Sequence, residues 1–179
     1  MANYSALDIA NLYIRLSNDI ESDSIDNLKL NKLLFFAQGW FLAKFGKVLF
    51  SDDIQAWDYG PVIHDVYHTF KCCGSLPIKE PLESFDENRL SSKELDLILD
   101  VYRTYGKYTG WALKEMTHKK GSPWDQVYQK GMNKVISPKT MLEYFKKLSL
   151  ETFDIESISI PEIMEVPIDW DSSEDAVYD

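Results

Sequence analysis

Leu30-Asn31-Lys32-Leu33-Leu34-Phe35-Phe36-Ala37-Gln38-Gly39-Trp40-Phe41-Leu42-Ala43-Lys44-Phe45-Gly46 is the stretch on which the fold turns. Leu30, Leu33, Leu34, Ala37, Trp40, Phe41 and Phe45 recur at the 3.6-residue spacing of a helix, and Gly46 supplies its stop. The spacing predicts a central buried helix, around which the rest of the chain must pack.

Working outward, helix punctuation recurs on both sides. Ser5-Ala6-Leu7-Asp8 is an N-cap with an acid three residues on, and it opens a first helix to about Asn18 in which Leu12, Tyr13 and Leu16 share a face. Val48 to Tyr59, with Asp52-Asp53 as a turn pair, reads as two short extended pieces, a small β-hairpin. Gly60-Pro61 breaks the chain, and Pro61 suits the first turn of a helix from about Val62 to Cys73, closed by Gly74. Pro77 and Pro81 mark a loop. Ser91-Ser92-Lys93-Glu94 is a second capping box, Thr109 can cap a helix over Gly110 to about His118, Ser122-Pro123-Trp124-Asp125 starts a short one ending near Gly131, and Ser137-Pro138 starts a last one to about Leu148. The expected fold is mainly α: one compact domain of about seven helices, residues 1–150, followed by an acidic C-terminal tail, residues 151–179.

Composition agrees. The 179 residues are 45% apolar, 13% aromatic and 27% charged, enough for one core without staples. The two cysteines, Cys72 and Cys73, are neighbours and close no loop, which suits a reducing cytoplasm. No apolar run reaches the length of a membrane span, and Met1-Ala2-Asn3-Tyr4-Ser5 has no signal-peptide pattern, so a cytoplasmic location is expected. The net charge of -10 divides unevenly: residues 1–147 hold 19 basic and 19 acidic side chains, whereas 148–179 hold ten carboxylates and no Lys or Arg. A neutral body with an acidic tail argues against direct nucleic-acid binding. The tail could lie across a basic partner surface and speed association, or serve as a solvated terminus.

Motifs for catalysis are sparse. No phosphate-binding glycine loop, nucleophile elbow or His-Glu-x-x-His pattern occurs. His64 and His68, four apart, share a helix face, and with His118 they make the ligand count of a metal-dependent hydrolase, the enzyme alternative. Cys72-Cys73 after His68 is a weaker candidate for an activated thiolate than for apolar filling at a helix end. Trp57, Tyr59 and Tyr67, beside the Gly60-Pro61 break, are candidate anchors for a partner.

Four ordered blocks then carry a resemblance: Leu30 to Trp40; Ala56-Trp57-Asp58-Tyr59-Gly60-Pro61-Val62; Val66-Tyr67-His68-Thr69-Phe70-Lys71; and Leu113 to His118 with Gly121-Ser122-Pro123-Trp124. Together they resemble the Panacea antitoxin domain of SocA-like antitoxins and phage-associated GepA-type proteins. Met116 stands where that family more often has Leu, and Ser122 is an added residue before Pro123. The resemblance implies a non-enzymatic antitoxin without a cofactor, which neutralises a cognate protein toxin, encoded by an adjacent gene, through direct contact. A SocA-like member acting as an adaptor that delivers its toxin to a AAA+ protease supplies a second mechanism. Carried over residue by residue, Gln38, Trp40, Trp57, Tyr59, Gly60, Pro61, Tyr67, His68, His118 and Trp124 are signature positions, which is not the same as contact positions. Trp57, Tyr59, Gly60, Pro61, Tyr67 and His68 are the candidate partner-binding residues, and Gln38, Trp40, His118 and Trp124 are expected to be structural.

Overall fold

In a computed structural model, which describes residues 4–20 and 24–151, the capping signals open their helices as expected. α1 (Ala6–Asn18) starts at a Ser5/Asp8 capping box. α2 (Asn27–Phe45) is capped by Asp26 and ends at Gly46, whose φ of 68° is the left-handed stop that glycine adopts without strain. α3 (His64–Phe70), α4 (Ser92–Tyr105), α5 (Gly110–Thr117), α6 (Pro123–Val127) and α7 (Pro138–Glu151) follow, with β1 (Ile54–Trp57), β2 (Gly60–Ile63) and β3 (Lys134–Val135) forming one antiparallel sheet in the order β2-β1-β3. The mainly α fold with seven helices and a small hairpin is therefore the observed one among the described residues. Residues 152–179, and with them the tail beyond Glu151, lie outside the described residues.

α2 is the axis. Its residues from Leu30 to Gly39 are all buried, and α1, α4, α5, α7 and β2 pack around it. Phe36 stacks on Tyr105 of α4 at 4.0 Å, Trp40 donates its indole N–H to the Tyr105 hydroxyl at 3.0 Å, and Phe145 of α7 wedges edge-on against Phe35, Phe36 and Trp40. Phe145 is wholly buried, and it sits over Gly39, where any side chain would occupy the space of its ring. Burying this many aromatic rings is the main stabilising term of the body.

Three boundaries differ from expectation. The hairpin turn is Asp58-Tyr59, two residues between the paired Trp57 and Gly60, and not Asp52-Asp53. Asp52 is diverted to the start of α1, where its carboxylate accepts the Ala6 N–H at 3.0 Å. Pro61 lies inside β2 instead of opening a helix: α3 begins at His64, and Lys71–Cys73 forms a separate 3-10 turn closed by Gly74. An outer strand suits proline, because its missing N–H falls where no ladder partner waits. α6 ends at Val127, short of Gly131, and the chain then forms β3, which the sequence pattern did not signal.

The second capping box also ties the termini of two helices together. The Glu94 carboxylate accepts from the Ser91 N–H at 3.0 Å, from the Ser91 hydroxyl at 2.9 Å and from Lys47 Nζ at 2.8 Å. Lys47 foremost, with the Ser91 hydrogen bonds, holds the Glu94 carboxyl down to about 2 despite its burial. A depressed carboxyl stabilises the fold above its unfolded value of 4.5 and loses that contribution as pH falls towards 2. Glu94→Gln should therefore cost about 1 kcal/mol at pH 7, the worth of a helix cap, with the gap to the parent closing in urea titrations between pH 4.5 and 2. A gap independent of pH would show that the carboxylate charge contributes nothing.

Candidate functional site

The polar residues of α2 converge on the hairpin. In an antiparallel ladder, outward-facing backbone groups alternate with paired ones; pairing of Trp57 with Gly60 and Gln55 with Val62 leaves Pro61 and Ile63 of β2 facing outward. Both are taken up by α2. Lys32 Nζ donates to the Pro61 carbonyl at 2.9 Å, and the Ile63 N–H donates to Asn31 Oδ1 at 2.9 Å. Asn31 is itself fixed by Asn27, whose side-chain amide donates to the Tyr67 carbonyl at 2.9 Å at α3. Gln38 does the same for the preceding loop, accepting the Leu49 N–H at 2.7 Å and donating to the Phe50 carbonyl at 2.9 Å. Four of the polar side chains of α2, Asn27, Asn31, Lys32 and Gln38, thus serve as staples, which is why they tolerate burial.

Lys32 is the costliest of them. It is fully buried, and burial pushes its ammonium down to about 7, opposed by Asp26 and reinforced by Lys114. Gly60, with φ +102°, is where the turn meets it: a Cβ there would lie 2.8 Å from Lys32 Cε and 2.9 Å from Thr117 Oγ1. Only glycine satisfies both the backbone angle and the space.

The hairpin is gripped from the other side by α6. Trp124 donates its indole N–H to the Trp57 carbonyl at 2.8 Å, stacks on Tyr128 at 4.3 Å, and carries the His118 ring flat against it at 3.6 Å and 10°. The Tyr128 hydroxyl donates to Asp58 in the turn at 2.7 Å. His118 has its pKa pushed down to about 4, by burial first and then by Lys114 and Lys32, and its Nε2 is buried without a hydrogen-bond partner among the described residues. It is a neutral stacking ring at neutral pH.

The candidate contact residues divide by burial. Trp57, Gly60 and Pro61 are buried and build the hairpin. Tyr59 and Tyr67 are half-buried, and His68 is exposed. Tyr59 meets Trp111 of α5 edge-on at 5.7 Å. On α3, Tyr67 lies 4.9 Å from the Trp57 ring and 5.2 Å from His68, and the His64 and His68 rings lie 4.3 Å apart, tilted by 50°. Of the aromatic anchors, only Tyr59 is carried by the turn; Trp57 is on a strand and Tyr67 on a helix. Gln38, Trp40, His118 and Trp124 all sit in the scaffold contacts described above. Asn27, Asn31, Lys32, Trp111 and Tyr128 complete the site and were not singled out from the sequence; the isolated polar residues of α2 were the available signal.

For chemistry the arrangement offers little. Among the described residues, no group of three or more His, Cys, Asp or Glu side chains is placed to hold a metal ion, so His64, His68 and His118 do not form the ligand set considered above. The Cys73 thiol is pushed up, by burial and then by Cys72, which is the reverse of thiolate activation; Cys73 is half-buried and packs against the core, whereas Cys72 is exposed. No described helix is long and apolar enough to cross a membrane.

A helical scaffold that fixes a stapled aromatic hairpin is what the fold and site define. The chain belongs to the antitoxin SocA-like, Panacea domain family, whose family model matches residues 30–125, from within α2 to within α6. Antitoxin SocA of Caulobacter vibrioides (strain NA1000 / CB15N) is 33% identical over 112 residues, covering 58% of this chain and 60% of that relative, so the chain spans about 60% of the relative's length. No solved structure matches the chain.

Proposed function

We propose that this protein is an antitoxin that neutralises a cognate protein toxin by direct, stoichiometric contact, without catalysis, through the face formed by Tyr59, Tyr67 and His68 with His64 and Trp111. Family membership supports the class. The observation that carries the contact face is its rigid support: Asn31, Lys32 and Trp124 pin the hairpin backbone from two sides, while rings at its turn and on α3 keep exposed surface. Aromatic anchors held in advance lose little freedom on binding, which is how small surfaces reach high affinity.

The test is co-expression with the product of the adjacent gene. Growth arrest by that product, rescue by this protein and co-purification of the two are the expected results. Tyr59→Ala, Tyr67→Ala and His68→Ala should each weaken the complex about tenfold or more, in the range of interface hot spots, while Leu82→Ala on an exposed loop should not. Rescue with disappearance of the toxin and no complex would replace this reading with the protease adaptor. Unchanged affinity in all three variants would move the contact face elsewhere.

A further inference from the structure

The two edges of the sheet are treated differently. β2's outward N–H of Ile63 and carbonyl of Pro61 are taken up by Asn31 and Lys32, whereas among the described residues β3 has no such cover. The Ile136 N–H donates to the Ile54 carbonyl at 2.7 Å and Lys134 pairs with Ala56, so Val135 between them is the residue whose N–H and carbonyl face away from the sheet. Its side chain is 45% exposed, and the neighbouring Met132 is 60% exposed. An open edge with apolar neighbours invites another strand. The stretch of sequence around β3 is basic: residues 119–147 contain seven lysines, all exposed, against Asp125 and Glu143, and Lys134 lies on β3 itself.

We propose that the occupant of this edge is the C-terminal segment of the same chain, with residues 157–160 pairing along β3 and the segment's carboxylates lying over Lys130, Lys134 and Lys139. Charge selects it, since residues 148–179 carry ten carboxylates and no Lys or Arg, the complement of the lysine-rich stretch that contains β3. Pattern selects the same part: Ser157-Ile158-Ser159-Ile160 alternates polar and β-branched residues and stops at Pro161. Reach agrees as well. α7 starts two residues after Ile136 and runs 14 residues, carrying the chain about 21 Å away at ~1.5 Å per residue. Six residues can span at most about 20 Å at ~3.3 Å each, so position 157 is the first whose reach matches the return to β3. Such a cap closes the sheet's remaining edge, and any partner strand using that edge must displace it. The pairing does not depend on what the hairpin face binds.

Amide hydrogen exchange of Val135 in the full chain at low salt tests it, with the Ile136 amide as internal reference. Val135 should exchange at least tenfold more slowly in the parent than in one of Ile158→Pro and Ser159→Pro, because successive amides point to opposite sides and one of the two must supply a ladder donor. Asp154→Lys/Glu156→Lys/Glu162→Lys should also release Val135, and Ile136 should stay unchanged throughout. Equal Val135 exchange in the parent and both proline variants would overturn the proposal. Protection that rises with protein concentration would overturn it too, by assigning the edge to a second copy.

Discussion

Lys32→Met should convert a pH-dependent stability into one that lacks its steepest component. In the folded protein the ammonium is lowered from 10.5 to about 7 by burial. Below pH 7 both folded and unfolded chains hold the proton, and the fold bears the full cost of burying a charge. Between pH 7 and 10.5 the unfolded chain binds a proton that the folded chain does not, so stability rises with pH. Above 10.5 the contribution is constant. The parent should therefore gain on the methionine variant by about 1.4 kcal/mol per pH unit in the middle of that window, reaching about 3 kcal/mol between pH 6.5 and 9.5. At pH 6 the variant should be at least as stable as the parent, because an apolar side chain of similar length relieves the charge burial and loses only the bond to the Pro61 carbonyl. Urea unfolding across that range reads the difference directly. Parallel stability curves would mean that Lys32 keeps its ordinary titration and that water reaches it beneath the hairpin.

Lys32 also marks where sequence reading stops. The apolar spacing of Leu30 to Phe45 located α2 to within a few residues, and Ser5, Ser91, Thr109, Ser122 and Ser137-Pro138 located five helix starts, because a cap is a local hydrogen-bond requirement visible in neighbouring residues. The hairpin was seen but misplaced. Asp52 looked like a turn residue, yet its carboxylate is spent on the Ala6 N–H, 46 positions away, and nothing local reports that. Pro61 looked like a helix opener because proline suits both a first helical turn and an outer strand; the choice rests on Lys32 waiting opposite its carbonyl. β3 is two residues long and exists only because β1 pairs with it. The aromatic residues singled out from the sequence, Trp57, Tyr59 and Tyr67, fall on β1, the hairpin turn and α3. Which of them build and which face outward depended on burial: Trp57 turned inward as a strand residue, whereas His68 stayed exposed. Lys32, Asn31 and Asn27 were passed over although a helix that apolar has no reason to hold polar side chains except to satisfy backbone groups elsewhere.

The contact between α2 and α7 predicts the second large effect. Gly39→Ala adds one methyl group where the Phe145 ring already lies. The substitution gains about 1 kcal/mol of helix propensity, so a flexible or empty neighbourhood would make it stabilising. Phe145 cannot yield: it is wholly buried between Phe35, Phe36 and Trp40, with ring centroids 5.6, 6.3 and 5.2 Å away. Overpacking of this kind costs about 1–3 kcal/mol or more, and the net loss should be about 2 kcal/mol, lowering the melting temperature by roughly 4–8 °C for a chain of this size. Phe145→Leu alone should also destabilise, by leaving a cavity. Combined, the two should destabilise less than their sum by at least about 1 kcal/mol, because the smaller side chain makes room for the methyl. Strict additivity would show that Gly39 does not set the approach of α7. The consequence reaches past stability, because α7 follows β3 directly, with only Ile136 and Ser137 between them. A displaced α7 pulls on the strand that pairs with β1, and β1 carries Trp57 and the turn on which Tyr59 sits. In a chain with Gly39→Ala, affinity for the proposed toxin partner should therefore fall even though no proposed contact residue has changed, and Phe145→Leu should restore part of it.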